Sequence, residues 1–191
     1  MDEAVERRQA FVASQPSLDA HRLVFLDEAS CSTGLSNNYG YAPPGVTPVI
    51  ERPMRGERVT MLGAIALDGV RALQVVDDNV NGAVFKRFLD EVLGPTLRPG
   101  DVVVMDGPHV HRVAGVVEIL EKYGATPLYL PAYSPELNPI EMTWAWMKQQ
   151  LRRAAFREMP KVRKAIDRLW SAITPALTTG WVRHAGYAEA A

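Results

Sequence analysis

The stretch VTMLGAIALDGVRALQVV, from Val59 to Val76, decides the first half of the fold. It holds two β-prone runs, Val59 to Leu67 and Ala72 to Val76, on either side of the dipeptide Asp68-Gly69. An Asp-Gly pair between two such runs is a strong signal for a β-hairpin. We therefore expect the two runs to pair as antiparallel strands, so that the sheet begins as a meander.

Three short runs outside this hairpin predict the remaining strands. One precedes it, from Leu23 to Leu26, and ends at Asp27. Two follow it, from Val102 to Met105 and from Thr126 to Leu130. Short apolar runs bounded by turn residues are typical of buried strands. The segment Ser30 to Pro48 is rich in Gly, Ser, Asn and Pro, so it is expected to be a loop.

Helices are predicted after the hairpin, over residues 79–93, 109–123, 140–156 and 160–173. Asn79 is the expected N-cap of the first helix, Gly94-Pro95 should stop it, and Gly124 is the expected cap at the end of the second. A helix between two strands implies that those strands lie parallel. The order of elements therefore predicts an α/β fold, a mixed five-stranded sheet with helices on both faces, as in the ribonuclease H-like fold.

One domain should account for most of the 191 residues, of which 47% are hydrophobic. We expect an N-terminal linker helix within residues 1–20, the domain itself over residues 21–187, and a tail over residues 188–191. No segment approaches the roughly 20 apolar residues of a membrane-spanning helix. The single cysteine, Cys31, cannot form an internal disulfide. These features predict a cytoplasmic protein without a membrane partner.

Charge is divided unevenly along the chain. The net charge is -1, but residues 1–141 carry 12 basic and 19 acidic side chains, whereas residues 142–191 carry 9 and 3. A basic region beside an acidic one suits contact with DNA phosphates next to a site for divalent cations. A solvated basic face is the commoner cause of such a division, so charge alone leaves both interpretations open.

Two aspartates occupy matching places in the predicted sheet. Asp27 ends the run VFL, and Asp106 ends the run VVVM. Ligands of open α/β sheets bind at the carboxyl ends of adjacent strands, so the two acids can converge on one ion. Each also suits a turn that simply ends a strand. Glu28 is the weaker candidate, because alternation along the strand points it to the opposite face from Asp27.

Glu141 is the third candidate acid, at the start of a predicted helix. Asn138 as N-cap and Pro139 as the first helical residue would give Glu141 a capping role. An acid in the first turn can also face two strand-end acids, and capping does not exclude this. Three carboxylates suit Mg²⁺, and a pair of ions about 3.5–4 Å apart clamps the attacking and leaving oxygens in phosphoryl transfer.

Three segments carry a recognisable pattern: LPAYSPELNPIEMTWAWMK at Leu130 to Lys148, FLDE at Phe25 to Glu28, and MDGPHVHR at Met105 to Arg112. Together they resemble the DDE superfamily endonucleases of mariner-like bacterial insertion sequences. In the last segment Asp106 and His111 match the family, whereas Gly107 stands where the family has Asn. The 34 residues between Asp106 and Glu141 match the spacing of this branch.

The resemblance covers about Leu23 to Tyr187 and implies the catalytic domain of a transposase. It implies that Asp27, Asp106 and Glu141 bind two Mg²⁺ ions, which Mn²⁺ can replace. The implied activity is cleavage and strand transfer on double-stranded DNA, at the element ends and in the target, by a homodimer in the DNA complex. His111 would approach the scissile phosphate or the metal ligands, with a capped or core histidine as the alternative.

The helix that begins near Glu141 is expected to serve both the core and DNA. Trp144 and Met147 share its apolar face and should be core residues. DNA phosphates are the expected partners of its basic residues, with surface ion pairs as the alternative. These residues are Lys148, Arg152 and Arg153.

Recognition of the element ends is expected to come from another polypeptide part. Only about twenty residues precede the first predicted strand, too few for a helix-turn-helix module. We expect a separate or frameshift-fused helix-turn-helix part to supply it.

Two other functions fit the same residues. A ribonuclease H-like nuclease or resolvase would share the carboxylate chemistry, but the run YSPELNPIE is not expected in one. A non-catalytic remnant that only binds DNA or assembles would fit the departure at Gly107. The presence of all three acids argues against the remnant.

Overall fold

Five strands form one mixed sheet in the computed structural model, which describes residues 3–37, 39–47, 49, 56–77, 79–107 and 114–187. The order across the sheet is third, second, first, fourth and fifth strand of the sequence. The strands are β1 Leu23–Ser32, β2 Arg58–Ala66, β3 Gly69–Val76, β4 Val102–Met105 and β5 Thr126–Tyr129. The predicted mixed five-stranded sheet is confirmed.

The predicted antiparallel hairpin forms, but its turn lies one residue earlier than Asp68-Gly69, and its second strand starts at Gly69 instead of Ala72. β2 and β3 pair antiparallel as far as Ala66 and Gly69, and Leu67 and Asp68 make the turn. Gly69 has a φ of +130°, which L side chains rarely adopt, so this position favours glycine. β1 pairs antiparallel with β2 on one side and parallel with β4 on the other, and β5 lies parallel to β4.

β1 is longer than its apolar run predicted, and this corrects two expectations. The strand continues to Ser32, so Asp27 lies within it instead of at its end, and Ser30 to Ser32 are not part of a loop. The reason is that β2 pairs with β1 along this whole length, up to Ser32 opposite Arg58. From residue 27 to 32 buried and half-buried positions alternate, as in a strand with one covered face.

The described α-helices are α1 Glu3–Ser14, α2 Gly82–Arg87, α3 Val116–Lys122, α4 Ile140–Ala154, α5 Met159–Ser171 and α6 Pro175–His184. α2 continues as a π-helix, Phe88–Leu93, so the predicted end of this helix is confirmed. Its predicted start is wrong, because Asn81 and not Asn79 is the N-cap. The Asn81 side-chain oxygen accepts hydrogen bonds from the backbone N–H groups of Ala83 and Val84.

The other helices also differ from prediction at their ends. α3 begins at Val116, after Gly115, and residues 109–113 of the predicted helix lie outside the described residues. Gly124, with φ +72°, follows its end as expected. α6 was not predicted, although Thr174 and Pro175 are start signals: the Thr174 hydroxyl caps the helix by accepting the N–H of Leu177.

Each face of the sheet carries its own hydrophobic core. Phe25 and Val104 belong to the core under α4, α5 and α6, whereas Val24 and Val103 belong to the core under α2 and α3. Neighbouring residues divide in this way because side chains alternate along a strand. The prediction of helices on both faces is confirmed.

α1 is the helix expected before the first strand. Its residue Phe11 packs at the edge of the core under α4, α5 and α6. The predicted tail, residues 188–191, lies outside the described residues. No helix in the described part of the chain is long and apolar enough to cross a membrane.

Candidate active site

Asp27 lies on the face of the sheet that α4 covers. Phe25 and Ala29, two residues away in either direction, belong to the core on that face, so alternation places Asp27 there as well. Asp27 is only 7% exposed. A charged carboxylate at this depth is costly unless cations or hydrogen bonds compensate it.

Asp106 reaches the same face from the neighbouring parallel strand. It directly follows β4, two residues after Val104, which pairs with Phe25 of β1. Asp27 and Asp106 each lie two residues further along the chain from this pair. Residues two apart on a strand lie on the same face of the sheet, so both aspartates share the face of Phe25 and Val104. Asp106 is half-buried. The parallel pairing of β1 with β4 therefore brings the two aspartates to one edge of the covered face.

Glu141 is exposed, in the first turn of α4. Pro139 occupies the N-cap position, and no side chain caps the helix there. The prediction that Asn138 is the N-cap is wrong, because its amide donates to the carbonyl of Leu26 at 3.3 Å instead. Leu26 adjoins Asp27, so this bond ties the start of α4 to β1 beside that aspartate.

The three acids line one cleft with a volume of about 1090 Å³. Gly107 lies in its wall beside Asp106. The turn before α4 contributes the rim, where Tyr133 is 96% exposed. The opposite wall is α1, which contributes Glu3, Ala4, Arg7, Ala10, Phe11 and Ser14.

Burial and like charge raise the pKa of two of these acids. Burial, with repulsion by Glu141 and then Asp106, raises the pKa of Asp27 from 3.8 to about 8. The pKa of Glu141 is also raised, mainly by partial desolvation of its carboxylate although the residue as a whole is exposed, with Lys148 opposing the rise and Asp106 adding to it. Asp27 therefore senses the charges of Glu141 and Asp106, Glu141 senses that of Asp106, and a cation among the three would relieve the repulsion.

Trp144 belongs to the core as predicted, but it also contacts the site. Its indole Nε1 donates a hydrogen bond to Oδ2 of Asp27 at 3.0 Å, and its ring stacks on that of Trp170 at 5.8 Å. Sequence reasoning assigned Trp144 to packing alone. The available signal was its position three residues after Glu141, on the same side of the helix.

The basic residues of α4 extend away from the cleft. Lys148 is half-buried and close enough to Glu141 for its charge to lower the pKa of that acid. Arg152 is half-buried and Arg153 exposed in the last turn. Glu28 is half-buried, and alternation from Asp27 places it on the other face of the sheet.

The predicted site residue His111 lies outside the described residues.

The donor chemistry of the cleft fits a divalent metal ion such as Mg²⁺. Carboxylate oxygens are the ligands that Mg²⁺ prefers, and here three carboxylates share one cleft, in which the pKa values of Asp27 and Glu141 are raised. Within the described residues, no three His, Cys, Asp or Glu side chains are gathered closely enough to hold a metal as they stand. The residues therefore fit the ion by their chemistry.

Comparison with known proteins gives the family. The sequence profile described as DDE superfamily endonuclease matches residues 22–163. This chain belongs to the DDE superfamily endonuclease family. No curated protein sequence matches it.

Solved structures of the Mos1 transposase share the fold. The Mos1 paired-end complex with the left transposon end is 21% identical, with a TM-score of 0.81 over 96% of this chain and 59% of that chain. The Mos1 mariner paired-end complex with Mn is 22% identical, with a TM-score of 0.81 over 96% of this chain and 59% of that chain. The Mos1 catalytic domain with Raltegravir and Mg is 19% identical, with a TM-score of 0.75 over 96% of this chain and 90% of that chain.

These matches show that the sheet and its helices have the same ribonuclease H-like fold as the Mos1 catalytic domain. The chain spans 59% of the longer Mos1 chains and most of the Mos1 catalytic domain.

Proposed function

We propose that this chain is the catalytic domain of a DDE transposase, which cleaves DNA at the ends of an insertion sequence and joins them to a target. The observation that carries the proposal is the meeting of Asp27, Asp106 and Glu141 in one cleft. They come from three separate elements, and 113 residues separate the first from the last. Membership of the DDE superfamily endonuclease family supports the same activity.

Asp27, Asp106 and Glu141 are the residues that would hold Mg²⁺ or Mn²⁺. Two bound ions would supply activation of a water or 3′-hydroxyl for attack and stabilisation of the leaving oxygen. Asp27 is the buried, fixed member of the three, and Glu141 is the exposed member at the mouth of the cleft. This difference in depth suits a site that binds an ion near the buried Asp27 and leaves room for a phosphodiester near the exposed Glu141.

The basic residues of α4 are suited to hold the DNA backbone beside the cleft. Lys148 is two helical turns after Glu141, and its charge already acts on that carboxylate. Arg152 and Arg153 continue the positive charge along the helix. Contacts of this kind fix the position of the DNA without reading its sequence.

The proposed partners are double-stranded DNA and further protein parts. The Mos1 structures include a complex with a transposon end, which supports a DNA partner here. We include in the proposal a homodimer in the DNA complex, a helix-turn-helix part supplied separately or by frameshifting, residues 1–20 as a linker and residues 21–187 as the catalytic domain.

A non-catalytic remnant is the second candidate function, and Gly107 favours it. Gly107 lines the cleft beside Asp106, where the family motif has Asn. A remnant would keep the fold and the DNA contacts but show no metal-dependent cleavage.

A nicking assay tests the proposal. Supercoiled plasmid is incubated with the protein in Mg²⁺, Mn²⁺ or EDTA. We expect nicking in either metal and none in EDTA. Asp27→Asn, Asp106→Asn and Glu141→Gln should each abolish nicking, whereas Glu28→Gln, a change on the opposite face of β1, should retain it. Absence of nicking by the wild type in both metals would favour the remnant.

A further inference from the structure

We propose that Trp144 is a positioning residue for the metal site, because its indole N–H holds one oxygen of Asp27 where that residue lines the cleft. This inference rests on the proposed function of Asp27 as a metal ligand. The hydrogen bond from Nε1 to Oδ2 is 3.0 Å long. Trp144 is 1% exposed and Asp27 7%, so water cannot readily replace either partner.

The indole is held on both sides. One face of Trp144 stacks on Trp170, with ring centroids 5.8 Å apart and planes at 25°. Gly63 lies opposite Asp27 in the pairing of β1 with β2. A Cβ at Gly63 would sit 2.6 Å from the Trp144 ring and 2.9 Å from the Trp170 ring. The missing side chain at Gly63 therefore makes the space through which the indole reaches the carboxylate.

The same helical turn also carries Glu141. Trp144 follows Glu141 by three residues, so the two side chains project from one side of α4. A single helix thus presents one proposed ligand directly and orients a second through a hydrogen bond. Asn138 adds a further tie from the start of this helix to β1, through the Leu26 carbonyl. These contacts would keep the spacing between Asp27 and Glu141 constant when DNA enters.

Packing alone does not require this arrangement. An indole N–H in a core needs one acceptor, which a backbone carbonyl can supply. Here the acceptor is the carboxylate that the proposed reaction needs. Groups that orient a metal ligand by hydrogen bonding typically contribute about 10-fold to 100-fold in metal affinity or activity.

Two phenylalanine variants separate positioning from packing. Trp144→Phe removes the N–H and part of the ring, and Trp170→Phe is the matched control, since it removes the same atoms from the stacked partner. Mn²⁺ affinity is measured by calorimetry without DNA, and folding is monitored by urea unfolding. We expect Trp144→Phe to weaken Mn²⁺ binding by about 10-fold or more. Trp170→Phe should bind Mn²⁺ like the wild type, even if urea unfolds it as easily as it unfolds Trp144→Phe.

A measurement without any change at Trp144 covers the case in which Trp144→Phe does not fold. The chain has four tryptophans, so the indole N–H signal of Trp144 in a nitrogen-15 spectrum can be assigned from Trp146→Phe, Trp170→Phe and Trp181→Phe. Adding Mg²⁺ should shift this signal in the wild type and leave it unmoved in Asp27→Asn.

The outcomes distinguish this inference from the proposed function. If the wild type binds Mn²⁺, Asp27→Asn loses it and Trp144→Phe keeps full affinity, positioning by Trp144 is wrong and the metal site stands. Equal losses in Trp144→Phe and Trp170→Phe would reduce the effect to packing and overturn the inference. If the wild type itself binds neither metal, the proposed metal site fails and the inference fails with it.

Discussion

Asp27→Asn should make the metal-free protein more stable than the wild type at neutral and alkaline pH. Asn keeps the volume of the side chain and an oxygen that can accept the Trp144 hydrogen bond, but it carries no charge. The wild-type carboxyl must either keep its proton or bear a charge in a buried site beside Glu141 and Asp106. The substitution removes both the titrating proton and the buried charge.

The size of the effect follows from the pKa of Asp27. It is about 8 in the folded protein against an ordinary 3.8, so the folded state holds its proton to a higher pH than the unfolded chain does. The stability that this provides is fully present below about pH 4 and is lost as the pH rises to about 8. About four pKa units correspond to roughly 5 kcal/mol.

Urea unfolding in EDTA at pH 5, 7 and 8.5, followed by tryptophan fluorescence, measures this difference. The free energy of unfolding of the wild type should fall relative to Asp27→Asn over this range, with the larger gap at pH 8.5. Glu28→Gln serves as control on the same strand and should stay close to the wild-type profile, because the charge of Glu28 is the smallest of the contributions to the raised pKa of Asp27. A wild type that equals or exceeds Asp27→Asn in stability at pH 8.5 would show that burial and repulsion at this site are not as described.

Three further predictions concern the surroundings of the acids. Gly107→Asn should change the nicking rate little, because the proposed ligand is the neighbouring carboxylate; a gain from no activity to a measurable rate would instead identify a decayed enzyme. Asn138→Ala should lower the free energy of unfolding by about 1 kcal/mol, through loss of the hydrogen bond to Leu26, and urea titration at pH 7 would detect it. Arg152→Ala and Arg153→Ala should each weaken DNA binding and lower the slope of log affinity against log salt by about 1, as measured by anisotropy on a random duplex; an unchanged slope would remove that arginine from the DNA contacts.

The sheet could be predicted from the sequence because its signals are local. The Asp68-Gly69 dipeptide that signals the hairpin and the four-residue run from Val102 to Met105 need no information from elsewhere in the chain. The extension of β1 to Ser32 could not be predicted in this way. Its second half is not an apolar run, and it is a strand because β2, which is distant in sequence, pairs with it. The choice between Asn79 and Asn81 as helix cap also depends on packing, since both residues suit the role.

The acids of the candidate site could be predicted from the sequence, but the residues that hold them by hydrogen bonds could not. Asp27, Asp106 and Glu141 stand out by residue type, position and spacing. The bond from Trp144 to Asp27 joins residues 117 apart in sequence, and the bond from Asn138 to Leu26 joins residues 112 apart. A buried tryptophan and an asparagine before a helix both have adequate local explanations, so only the folded chain shows that they contact the site.

The most direct test of the central claim is anomalous diffraction from crystals of the protein containing Mn²⁺. The claim is that the carboxylates of Asp27, Asp106 and Glu141 together form the metal site of a DNA-cleaving enzyme. The account predicts anomalous density in the cleft, with oxygens of all three side chains as ligands, and loss of that density in Asp27→Asn. Mn²⁺ bound elsewhere on the protein, with none of the three carboxylates among its ligands, would contradict it.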